Sequence, residues 1–218
     1  MPVNPAERAA SILAREDQEP AMLAAQEATV QRPEEVLVAR CRQGDLDAFG
    51  QVYAQHERAV FRYAYHLLGN RDDADDVKQE TFLKAYRAFS SFRSECSLST
   101  WLLKICGNLC RDRMKSRDRR PEVLYDPVAG PEHLADSTLA VDPVAAVERA
   151  QTRETLLAVL RGMPAEQRDI LVLRELEDLS YEEIAEIMGC SRASVKVRLF
   201  RARSRFRERV ESVMRGRR

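Results

Sequence analysis

The sequence has no apolar run long enough to cross a bilayer, and its N-terminal MPVNPAERAASIL has neither the basic n-region nor the sustained apolar h-region of a secretory signal. Cytoplasmic residence without membrane insertion is the expectation. Its five cysteines, Cys41, Cys96, Cys106, Cys110 and Cys190, include no CxxC pair and leave an odd one over. That count argues against a secreted disulfide framework. The sequence also lacks a glycine-rich phosphate loop and any His/Cys/Asp cluster, so no catalytic residue, metal site or cofactor is expected. An excess of charge of one sign is missing too: 35 Lys and Arg balance 35 Asp and Glu. A zero net charge normally argues against a nucleic-acid partner, but here the two signs are segregated along the chain, and the average conceals this.

What is present is clearest from Ser180 to Arg209, SYEEIAEIMGCSRASVKVRLFRARSRFRER. Ser180 followed three residues on by Glu183 is a capping box, so a helix starts there. Ile184, Ala185, Ile187 and Met188 fall at helical spacing, and Gly189 supplies a tight exit. Ser191 caps a second helix with a buried stripe of Val195, Leu199, Ala202 and Phe206. Two short helices around such a turn form a helix-turn-helix. The far side of the second helix carries Lys196, Arg198, Arg201, Arg203, Arg205, Arg207 and Arg209. Those cations suit phosphates, and Arg192, Ser194, Lys196 and Val197 in the first turns suit base edges in a major groove. The plainer reading is a solvated basic face on a structural helix; the capped first helix and the turn favour DNA docking.

The rest of the chain, 218 residues in all and 44% hydrophobic, suits one or two soluble domains. Residues 1–33 mix Ala, Glu, Gln and Pro and read as a loosely ordered extension. Over 34–115 the pattern is helical. Val36, Leu37 and Val38 lead to a turn at Gly44, and Phe49, Val52, Tyr53, Val60, Phe61, Ala64, Leu67 and Leu68 precede a stop at Gly69-Asn70. Asp72, Asp73, Asp75 and Asp76 then open a helix with an apolar face of Phe82, Ala85, Tyr86 and Phe89. Its acids, with Gln79 and Glu80, are either helix-starters or an acidic docking surface. In the next helix Trp101, Ile105 and Leu109 make one stripe, while Lys104, Asn108, Arg111 and Lys115 make a basic one. A basic track beside Phe92 and Trp101 fits single-strand binding, although Trp101 is equally well placed as a core aromatic. Cys106 and Cys110, one turn apart, read better as small buried residues than as metal ligands. Residues 116–142 lose all periodicity among prolines and acids and read as an extended acidic linker. Helical patterning resumes over 143–218, where Pro164 sits at a helix start and Ile170, Leu171, Val172 and Leu173 support the helix-turn-helix. The expected fold is all-α: two small helical domains joined by an extended linker, the second containing the helix-turn-helix.

Two blocks, DDADDVKQETFLKAYRAFSSFR with STWLLKICGN and MPAEQRDILVLRELEDLSYEEIAEIMGCSRASVKVRLFRAR, resemble bacterial sigma factors of the extracytoplasmic-function (ECF) group, the smallest of the sigma-70 family. The resemblance implies a promoter-directing subunit with a region 2-like domain over 34–115 and a region 4-like domain over 143–218. It implies core RNA polymerase as partner through the β′ clamp helices and β flap, promoter DNA, and an anti-sigma factor. It assigns Asp72, Asp75, Asp76, Gln79 and Glu80 to polymerase docking. It assigns Phe92, Trp101, Lys104, Asn108, Arg111 and Lys115 to the −10 element, where a base is flipped from the stack. Arg192, Ser194, Lys196, Val197, Arg198, Phe200, Arg201 and Arg203 fall to the −35 element. The alternatives from other classes are an autonomous helix-turn-helix regulator and a redox sensor built on Cys106 and Cys110.

Overall fold

A computed structural model describes residues 33–118 and 155–215, and all the regular elements among these are helical. Residues 1–32, nearly all of the acidic linker and residues 143–154 lie outside the described residues.

The first unit begins with α1, Pro33–Arg42, which carries Glu34 and Glu35 in its first turn and Arg40 and Arg42 in its last, as the helix dipole favours. The chain turns at Gly44, with φ of 83°. Asp45 then caps α2, Leu46–Leu68, by accepting from the Ala48 N–H at 3.0 Å. This helix stops where the sequence predicts: Gly69 takes φ of 70° and donates its N–H to the Tyr65 carbonyl at 2.8 Å. Asn70 accepts from the Asp73 N–H at 2.9 Å and starts α3, Arg71–Ala88. A 3₁₀ turn, Phe89–Ser91, leads through a short loop to α4, Leu98–Asp118. Helices α2, α3 and α4 pack pairwise into a bundle, with α1 laid against α2.

In the second unit residues 155–161 are helical, here α5, and α6, Ala165–Leu171, follows Pro164. The chain continues through a π-helical turn, Val172–Leu176, where Glu177 N–H reaches the Val172 carbonyl at 3.0 Å. Ile170, Leu171, Val172 and Leu173 are all buried, as expected of the support for α7, Tyr181–Met188, and α8, Arg192–Arg215.

Two expectations about the packing change. Helix α4 runs to Asp118. Its buried stripe is Leu98, Leu102, Leu103, Cys106, Leu109, Cys110 and Met114, with Trp101 and Ile105 only half-buried. The stripe is wide because α4 is covered twice, by α2 and α3 on one side and by α6 and α7 on the other. Tyr86, expected on the buried face of α3, is 41% exposed and packs its ring edge on Phe49 at 5.1 Å. The buried apolar side chains of the two units form one cluster.

Candidate polymerase and nucleic-acid interfaces

On α3 the buried positions Ala74, Val77, Thr81, Phe82 and Ala85 turn Asp72, Asp76 and Gln79 outward, with Asp75 and Glu80 partly exposed. Cations stand among these acids. Lys78 reaches Asp75 at 2.7 Å, Arg113 reaches Asp73 at 3.0 Å and Asp76 at 3.3 Å, and Lys84 reaches Glu80 at 3.2 Å. The Lys84–Glu80 pair is exposed and contributes at most about 1 kcal/mol, while the other three are partly buried. The same face continues into Leu83, 48% exposed, and Tyr86. Neither was read from the sequence as part of a surface, although Leu83 follows Gln79 and Glu80 at steps of four and three.

On α4 the basic track meets a different environment. Lys104 Nζ lies 2.5 Å from Glu186 Oε1. Arg111 donates to Asp169 Oδ2 at 2.5 Å and to Asn108 Oδ1 at 2.6 Å. Asp169 is fully buried and also accepts from the Tyr63 hydroxyl at 2.5 Å. Burial lifts the Asp169 carboxyl above the usual carboxylate range despite the Tyr63 hydroxyl and Arg111, and burial together with Asp169 raises the Tyr63 phenol. Asn108 and Lys115 are exposed.

Phe92, assigned to strand binding by sequence, lies in the core. Its ring sits 4.8 Å from Trp101 and 5.9 Å from Phe89, and Trp101 is half-buried against both. Arg42 donates to the Phe92 carbonyl and reaches the Ser94 hydroxyl at 3.1 Å, holding the loop in which Ser94 adopts φ of 57°. Cys106 and Cys110 are buried, as the sequence suggested. The Cys106 thiol donates to the Val60 carbonyl at 3.7 Å, and its hydrogen bond with Cys110, together with burial, raises the Cys110 thiol.

The helix-turn-helix forms as its caps require. Ser180 N–H donates to Glu183 Oε2 at 2.9 Å, and Glu183 N–H donates back to Ser180 Oγ at 3.3 Å. Gly189 ends α7 at φ of 61°, and Ser191 Oγ accepts from the Ser194 N–H at 3.2 Å. Val195, Leu199, Ala202 and Phe206 are the buried residues of α8. Across from them Lys196, Val197, Arg198, Phe200 and Arg201 are exposed, Val197 by 51% and Phe200 by 73%. The remaining three −35 candidates are engaged within the chain. Arg192 pairs with Glu182 at 2.7 Å, Ser194 bonds the Ser191 hydroxyl at 3.0 Å, and Arg203 pairs with Glu175 at 2.9 Å in a largely buried contact.

Comparison with known proteins matches this arrangement to one family. The model for sigma-70 region 2 matches residues 52–120, and the model for sigma-70, region 4 matches residues 153–206. The chain is 33% identical over 191 residues to the ECF RNA polymerase sigma-E factor of Haemophilus influenzae, covering 84% of this chain and 98% of that protein. It is 32% identical over 189 residues to the RNA polymerase sigma-H factor of Pseudomonas aeruginosa, covering 85% of this chain and 97% of that protein. Among solved structures, the sigma factor RpoE in complex with the anti-sigma factor NepR from Bartonella quintana is similar with a TM-score of 0.59 at 28% identity, over 75% of this chain and 96% of that one. CnrH, in complex with the cytosolic domain of CnrY, shares the fold with a TM-score of 0.60 at 24% identity, over 82% and 97% of the two chains. With a capped helix-turn-helix behind an acid-fronted bundle, and relatives matched over nearly their whole length, the chain belongs to the sigma-70 family as an RNA polymerase sigma factor of the ECF type.

Proposed function

We propose that this sigma factor directs core RNA polymerase to its promoters through three surfaces of its own. The exposed face of α3, with Asp72, Asp75, Asp76, Gln79 and Glu80 extended by Leu83 and Tyr86, docks on the β′ clamp helices, while the second unit engages the β flap. The outer face of α8, with Lys196, Val197, Arg198, Phe200 and Arg201, reads the −35 element as duplex. The α4 face, with Lys104, Asn108, Arg111 and Lys115, tracks the melted −10 strand. Phe92 and Trp101 brace the loop leading into that face, and Arg192, Ser194 and Arg203 hold α8 in position for reading.

The observation that carries this reading is the bare cationic face of α8, set behind a fully formed capping box and turn. Neither DNA-reading unit need bind tightly alone. Docking on polymerase fixes their separation, so the second contact forms at a high effective concentration. The chain catalyses no reaction itself; RNA synthesis belongs to the polymerase, in the cytoplasm. No helix among the described residues is long and apolar enough to cross a membrane. An anti-sigma factor is the expected regulatory partner, as in the solved complexes of the similar sigma factors.

Run-off transcription with core polymerase on a promoter library tests the whole reading. Initiation from a subset sharing −35 and −10 sequences is expected, and the double variant Asp76→Ala/Glu80→Ala should fail to associate with core. Initiation indistinguishable from core alone would reject the reading.

A further inference from the structure

The loop that joins the 3₁₀ turn to α4 is held at both ends by α1. At its entry the Arg42 guanidinium donates to the Phe92 carbonyl, from Nε at 2.9 Å and from Nη2 as well, and Nη2 also reaches the Ser94 hydroxyl at 3.1 Å. At its exit Glu34 Oε1 accepts from the Leu98 N–H at 3.1 Å. Leu98 opens α4, so a carboxylate from another helix satisfies an N–H that has no partner within its own. Ser97 supplies the local part of the cap, its Oγ accepting from the Thr100 N–H at 3.1 Å. Glu34 and Arg42 lie about two turns apart on α1, or about 12 Å along its axis, and the buried Leu37, Val38 and Cys41 seat that helix against the core. Between the two anchors Arg93, Ser94, Glu95 and Ser97 are exposed. Ser94 adopts φ of 57°, a left-handed conformation that a serine keeps only where its surroundings impose it.

We propose that Arg42 and Glu34 of α1 are positioning residues for the −10 strand: they fix the shape of the loop over 92–98, so that its exposed side chains meet a flipped base in one geometry. This rests on the reading of α4, with the loop leading into it, as the −10 surface. A base out of the stack is told from another by hydrogen bonds to its edge, and such bonds weaken steeply with misalignment. A loose loop of polar side chains adjusts to any base. One pinned at both ends does not, and discrimination follows from that rigidity. The shape of Arg42 matters as much as its charge, since one planar guanidinium bridges a backbone carbonyl and a hydroxyl, and a lysine ammonium lacks that fork. The docking face lies on α3 and the −35 face on α8, so loss of either α1 residue should touch the −10 preference alone.

The test sequences the run-off transcripts made by the full chain with core polymerase on the promoter library, for the parent and for variants at these two positions, both exposed. Arg42→Ala should lower the preference among −10 bases by about fivefold, while the −35 preference and the affinity for core stay within about twofold of the parent. Arg42→Lys, which keeps the charge without the fork, should recover little of that loss. Glu34→Ala should show a smaller loss in the same direction, and Glu34→Gln, which keeps an acceptor for the Leu98 N–H, should restore the parental preference. An unchanged −10 preference in Arg42→Ala overturns the proposal. So does full recovery by Arg42→Lys, which would make Arg42 a plain phosphate contact. A loss of initiation spread evenly over all promoter sequences overturns it as well, because general damage to the bundle has that signature. A −10 preference indifferent to Lys104→Ala/Asn108→Ala, introduced into the parent, overturns instead the reading of α4 as the −10 surface.

Discussion

On α8, Lys196, Arg198 and Arg201 stand in solvent opposite a buried stripe; on α4, Lys104 and Arg111 stand opposite a buried stripe but each holds a carboxylate from the other unit. In sequence these are the same pattern, cations at three- and four-residue steps beside an apolar face. In the fold one face is available and the other is occupied. The difference lies in which acids the tertiary structure delivers. Glu182 and Glu175 pair with Arg192 and Arg203 of α8, whereas α6 and α7 carry Asp169 and Glu186 directly onto α4. A bare cation meets a phosphate at once. A paired one must first release its partner.

The contrast breaks most sharply at Arg111. Arg111→Ala removes the counter-charge of Asp169, whose carboxyl can then take up a proton, and should cost roughly 1.5–2 kcal/mol by chemical denaturation, against about 0.5 kcal/mol or less for Arg198→Ala on the exposed face. Equal losses at the two positions would erase the distinction drawn between them. Next in size is the effect on DNA. Arg198→Ala and Arg201→Ala should each lower the salt slope of holoenzyme binding to promoter duplex by about 1, as measured by filter binding over a salt series. Ser180→Ala removes one half of the capping box at the start of α7 and should cost about 1 kcal/mol in thermal unfolding, since the Glu183 N–H loses its acceptor.

The smallest effect is that of pH on the Asp169 contact. Asp169 faces Tyr63 from α2, Arg111 and Cys110 from α4, and Glu166 from its own helix. Its carboxyl is raised by burial, so its contribution to stability is fully present below the unfolded value of about 3.9 and is lost as pH rises through the elevated one. The stabilisation by Asp169 should therefore decline as pH is raised above about 4, read by chemical denaturation over a pH series. A stability that rises steadily over that series would assign the pH response to other groups.

Much of the second unit could be read from sequence because its determinants are local. The Ser180/Glu183 box, the Gly189 exit, the Ser191 cap and the stripe from Val195 to Phe206 all act within one or two turns. The structure contains each of them. The first unit was harder. Phe92 and Trp101 have the composition of a base-stacking pair, but Phe89 completes a ring cluster that draws Phe92 into the core. Tyr86 has the spacing of a core residue and lies at the edge of the face. Asp169 escaped notice inside an apolar run, since nothing near it in sequence announces Tyr63, 106 residues away.

By itself the sequence determined the helices, their caps, the segregation of charge and the family, because each depends on residues within a few positions of one another or on motifs kept in order. Only the tertiary structure decided which cationic face is open and which is shut. That choice depends on carboxylates brought together across 58 and 82 residues of chain, and burial fixes the strength of such pairings in a way that no local pattern records.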